Sequence, residues 1–133
     1  MIPALSILAI DDFPAMREML SAFLEAAGHR VICAADGNAG LQILARQHVD
    51  LIVTDIIMPE KDGLEFIGEV RKGHPTLPII AISGGGTVMV GEYCLTAAKS
   101  FGATKTIRKP FSRQELFLAL EEALGDPTAR HPA

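Results

Sequence analysis

At 133 residues, 49% of them hydrophobic, the chain suits one domain with a full core and has little length left for a second folded module. Its 16 acidic and 12 basic residues are mixed along the chain to a formal charge of -4, which argues against a nucleic-acid surface built on neutralising phosphates. Cys33 and Cys94 are far apart and form no CxxC pair, which argues against zinc and disulfide frameworks, places both in the core and makes a reducing cytoplasm the expected compartment.

Residues 2–10 are apolar but carry no basic leader and run into two aspartates, so 5–10 reads as a buried strand rather than a signal peptide or a membrane span. A helix follows over 15–27, where Met16, Met19, Leu20, Phe23 and Leu24 recur at helical spacing between Pro14 at the start and Gly28 at the end. Next come a strand-sized run at 30–35, a helix at 40–47 carrying Leu41, Ile43 and Leu44, and a third apolar run at 51–54. Leu64, Ile67 and Val70 mark a helix over 64–72, and 79–83 is strand-like again. A glycine-rich loop leads to a helix over 92–101 and a strand over 104–108. The last helix, 114–124, has Leu116, Phe117, Leu120 and Leu124 in register and Ser112 as its N-cap. Past Gly125 the tail DPTARHPA has two prolines and no apolar period, so the domain is expected to span 1–125 and the end 126–133 to be frayed.

Five mostly apolar strands alternating with helices require a parallel sheet covered on both faces and joined by right-handed crossovers, an open doubly wound α/β domain. Ligands of such sheets bind beyond the carboxyl ends of the strands, where the strand order reverses. Asp11 and Asp12 follow the first strand, Asp55 the third, Ser83 ends the fourth and Lys109 follows the fifth, so all five meet at that edge. Two carboxylates about 4 Å apart repel by about 1 kcal/mol in water and by about 4 kcal/mol near a protein surface. Three together need cations. Lys109 supplies one charge, and a hard divalent ion such as magnesium, suited to carboxylate, water and phosphate oxygens, supplies the rest. Any one of these acids alone is an ordinary turn former; the ordered set is not.

In these residues the sequence resembles the receiver domain of two-component response regulators, in particular the single-domain kind typified by the chemotaxis regulator that binds the flagellar switch. The likeness runs over residues 4–124. It rests on Asp11-Asp12, on Asp55 with Met58-Pro59 and Asp62-Gly63 behind it, on Ser83 followed by a small residue, and on Lys109-Pro110-Phe111. The resemblance implies a flavodoxin-like sheet in the strand order 2-1-3-4-5 with helices on both faces. It implies that Asp55 accepts a phosphoryl group from the phosphohistidine of a sensor histidine kinase or a histidine phosphotransfer protein. Magnesium would be held by Asp12, Asp55 and the backbone carbonyl of Ile57, with Asp11 acting mainly through a metal-bound water. Lys109 would hold one phosphoryl oxygen, the Ser83 hydroxyl would swing onto a second, and the Lys109–Pro110 bond would be cis. Phosphoryl transfer asks the protein mainly for positioning and charge stabilisation, so a carboxylate nucleophile, one magnesium and one lysine suffice. The chain is not expected to be a turnover enzyme. With no output domain after the receiver, its signal is expected to leave by contact with a downstream protein or by phosphoryl relay. The expected state is a monomer or weak dimer that binds neither nucleic acid nor membrane.

Other readings compete. A magnesium-dependent aspartyl phosphatase of the haloacid dehalogenase type shares the nucleophile and metal, but needs a second acid where this chain has Ile57. Residues 86–91 suggest a phosphate-binding loop, yet Glu92 and Tyr93 stand where Lys and Ser/Thr belong. Ser83-Gly84-Gly85 suggests a nucleophile elbow, yet Ala81 replaces its first glycine. A flavin-binding module could use the same fold. A degenerate receiver working as an unphosphorylated adaptor is a further alternative, because Thr106 stands where the family usually carries the Tyr or Phe that turns inward on activation. Three glycines follow Ser83, so residues 84–93 are expected to rearrange on phosphorylation, with Tyr93, the only tyrosine, as a substitute aromatic.

Overall fold

The structure is a computed structural model that describes residues 3–56, 62–84 and 96–125. In chain order these form β1 (Ser6–Ile10), α1 (Pro14–Ala26), β2 (Arg30–Ala34), α2 (Gly37–Arg46), β3 (Leu51–Asp55), α3 (Gly63–Gly73), β4 (Ile79–Ser83), the helical residues 96–101 (α4), β5 (Lys105–Arg108) and α5 (Arg113–Gly125). Ile57, Gly85, Gly86, Tyr93, Cys94, the start of the fourth helix and the tail 126–133 lie outside the described residues.

The helix ends follow from local chemistry. Pro14 opens α1, where its missing N–H costs nothing. Gly28 ends the same helix with φ +97, a conformation that side-chain-bearing residues resist, and its N–H reaches the Glu25 carbonyl at 2.9 Å. The Asp36 side chain accepts from Ala39 N–H at 2.8 Å, which starts α2 at Gly37, three positions ahead of the expected 40. Asp62 caps α3 in the same way through Glu65 N–H at 2.8 Å. At α5 the cap is reciprocal: Glu115 N–H donates to Ser112 Oγ (3.0 Å) and Ser112 N–H to Glu115 Oε1 (3.2 Å).

Every strand pairing is parallel, and the order is β2-β1-β3-β4-β5, as the resemblance implies. Strand side chains alternate between faces, so one sequence feeds two core layers. Leu8, Ile10 and Ile52 pack with Phe66, Ile67 and Val70 of α3, with Leu41 and Leu44 of α2 alongside. Ile7, Ala9, Leu51 and Val53 pack with Leu20 and Leu24 of α1 and Leu116 and Leu120 of α5. At the far end of α3 the Arg71 guanidinium donates to the Gly102 and His74 carbonyls at 2.9 and 2.8 Å, tying that helix to the turn before β5.

Coverage is uneven across the sheet. β1, β3 and β4 are buried almost throughout, whereas β2 and β5, at the edges, are largely half-exposed. Cys33 is the consequence: contrary to the expected core position, its thiol is exposed, because it sits on an edge strand that its flanking helix covers only in part. The sulfur lies 3.1 Å from the Ser21 hydroxyl. Among the described residues, no helix is long and apolar enough to cross a membrane.

Candidate functional site

The parallel register delivers Asp11, Asp55, Ser83 and Lys109 to one edge, each at or just past a strand's carboxyl end. Carboxylate oxygens of Asp11, Asp12 and Asp55 all lie within 4.8 Å of one another. Their surroundings differ. Asp11 is fully buried, and both of its side-chain oxygens are engaged: Oδ1 accepts Phe13 N–H at 2.9 Å and Oδ2 accepts Lys109 Nζ at 3.2 Å. Its backbone is held as well, with N–H on the Ala34 carbonyl (3.2 Å) and carbonyl on the Arg17 guanidinium (2.7 Å). Asp12 is exposed.

Asp55, the last residue of β3, is 5% exposed. Its Oδ1 accepts Ile56 N–H at 3.0 Å and lies 3.6 Å from Lys109 Nζ. No described residue donates to its Oδ2. Burial is the main force on this carboxyl and pushes it up to about 6; the Lys109 ammonium opposes, the Asp11 charge raises it again, Ile56 N–H lowers it and Asp12 adds a further push. A carboxylate held this way gains from any added cation.

Lys109 crosses the edge from the far strand. Its N–H donates to the Ser83 carbonyl at 2.7 Å, its bond to Pro110 is cis as expected, and its stem lies against Gly84, where a Cβ would collide with it. Ser83 follows Ile82, the register partner of Asp55. Its hydroxyl is fully buried and has no hydrogen-bond partner among the described residues. A hydroxyl without a partner among its described neighbours is able to donate to an oxygen brought to this edge. The donor set thus fits two guests: three carboxylates fit a hard cation, and an ammonium with an unspent hydroxyl fits the oxygens of an anion.

All described residues expected at the site are brought together; the Ile57 carbonyl lies outside the description. Thr106 is half-buried on β5 opposite Ala81 of β4. Two contributors escape a reading of strand ends. Phe13 donates through its backbone, for which the signal is an Asp two residues earlier in a turn. Arg17 reaches back over the start of α1, a contact that depends on where the helix points.

Residues 7–121 match the profile of the family described as "Response regulator receiver domain". The transcriptional regulatory protein GlrR of Escherichia coli (strain K12) is 31% identical over 118 residues, which are 89% of this chain and 26% of that protein. The structure of NtrX from Brucella abortus in complex with ADP matches with a TM-score of 0.85 at 32% identity, over 92% of this chain and 27% of that one. The chemotaxis response regulator CheY4 of Vibrio cholerae matches with a TM-score of 0.79 at 31% identity, over 92% of this chain and 100% of that one.

Proposed function

This chain belongs to the response regulator receiver domain family, and on that premise we propose that Asp55 accepts a phosphoryl group from the phosphohistidine of a sensor histidine kinase or a histidine phosphotransfer protein. One observation carries the reading: Asp55 is a buried strand-end carboxylate 3.6 Å from a lysine, with two further acids within 4.8 Å, and its Oδ2 takes no donor from the described residues. Asp11 differs in having both oxygens committed.

In the transfer, an Asp55 oxygen forms the new P–O bond while the P–N bond of the phosphohistidine breaks. The electron pair returns to the imidazole nitrogen, which takes up a proton, and Asp55 is left as an acyl phosphate. Lys109 stays protonated and holds one phosphoryl oxygen, and the Ser83 hydroxyl donates to another. Magnesium, held by Asp12, Asp55 and the Ile57 carbonyl, would neutralise charge on the phosphoryl oxygens. The double engagement of Asp11 supports its acting on the metal through water. Transfer and later hydrolysis are self-catalysed, and the receiver unit of residues 1–125 works in the cytoplasm, passing its signal by protein contact or phosphoryl relay.

Mixing the protein with acetyl phosphate and magnesium should add the mass of one phosphoryl group, and Asp55→Asn should add none. An Asp55→Asn chain that gains the same mass would sink the assignment. Calorimetric titration with magnesium should show a larger loss of affinity in Asp12→Ala than in Asp11→Ala; equal losses would contradict the division of roles. Thr106 motivates the adaptor reading, which a wild type that takes no phosphoryl group even from its cognate kinase would favour.

A further inference from the structure

We infer that Gly63 is a positioning residue for Asp55: its bare Cα lets the start of α3 bear directly on the backbone of the acceptor. The inference rests on the phosphoacceptor reading above. Gly63 N–H donates to the Ile56 carbonyl at 2.6 Å, so the first residue of α3 is fastened to the residue after the nucleophile. A Cβ at Gly63 would collide with the Asp55 carbonyl oxygen and stand 2.6 Å from Ile56 Cα and 3.1 Å from the Asp55 carbonyl carbon. All three are backbone atoms, which do not swing aside as the tip of a long side chain does.

Neither partner in that contact yields easily. Asp55 and Ile56 are held from the other side by the ladder to β4, where Ile56 N–H meets the Ile82 carbonyl at 3.0 Å. α3 is held by Phe66, Ile67 and Val70, all buried in the core, and by the Asp62 cap. A methyl group at residue 63 therefore moves the Asp55–Ile56 peptide. The Asp55 carboxylate moves with it, because Oδ1 is bonded to Ile56 N–H, and its distances to Lys109, Asp11 and Asp12 change. Gly73, at the other end of the same helix, has nothing within 4 Å of its own missing Cβ.

The experiment compares wild type, Gly63→Ala, Gly73→Ala and Val70→Ala for the rate of phosphoryl uptake from acetyl phosphate by intact mass, for magnesium affinity by calorimetry, and for folding by circular dichroism. Displacement of reacting groups by about 1 Å costs about 100-fold in rate, so Gly63→Ala is expected to fold, to lose uptake by roughly 10- to 100-fold and to bind magnesium more weakly. Gly73→Ala should keep the wild-type rate and affinity, and so should Val70→Ala despite a lower melting temperature. Wild-type uptake in Gly63→Ala overturns the inference, and so does an equal loss in Val70→Ala. A Gly63→Ala chain that fails to fold also overturns it, since the glycine would then serve the fold and not the nucleophile. If the wild type itself takes no phosphoryl group, the acceptor reading fails instead, and the magnesium titrations alone decide the role of Gly63.

Discussion

Asp55 stands where burial opposes the charge that a nucleophile needs. Its carboxyl moves from an ordinary 3.8 to about 6 on folding. Between those values the folded chain binds more protons than the unfolded one, so stability falls as pH rises through this window, and the whole penalty is present above it. A shift of that size is worth on the order of 3 kcal/mol. Asp55→Asn should therefore raise stability in urea unfolding by up to that amount at pH 8 and by much less at pH 4; equal gains at the two pH values would contradict the assignment. Asp11, Asp12, Asp55, Ser83 and Lys109 were legible because each stands at the end of an apolar run, and that position survives folding unchanged. Arg17 was not legible, since its hydrogen bond to the Asp11 carbonyl depends on a helix direction that no local pattern encodes. Cys33 departs from its expected core position for a related reason: residue type says nothing about whether a strand will lie at an edge.

Helix ends were legible to the extent that their caps were. Ser112 is legible as an N-cap, and α5 begins within one residue of the expected start; Asp36 carries no such signal ahead of an apolar run, and α2 begins earlier than expected. Caps should also be measurable. Asp62→Ala removes the acceptor of Glu65 N–H and should cost about 1 kcal/mol, read as a lower urea midpoint with an unchanged slope. A midpoint unmoved by the substitution would show that the contact contributes nothing. The edge position of the outer strands is not legible, because Arg30–Ala34 and Lys105–Arg108 look strand-like whether two neighbours flank them or one.

At the scale of the whole molecule, the order of the five strands was accessible only through family resemblance, since five similar apolar runs permit many orders. That order has a kinetic consequence. The Lys109 Nζ to Asp11 Oδ2 contact joins residues 98 positions apart, from the outer strand β5 to the inner strand β1, with β4 and β3 between them. Closing so long a loop costs entropy that local pairings avoid, and the ammonium reaches Asp11 only after β3, β4 and β5 have docked. The ion pair is thus expected to form after the folding barrier and to be intact when unfolding begins. Contacts of this kind govern how fast a protein comes apart and leave untouched how fast it assembles. Lys109→Met should leave the refolding rates of a stopped-flow chevron unchanged and should shift the unfolding limb upward at neutral pH; a slowed refolding limb would mean that the acid cluster meets its lysine before the sheet is complete.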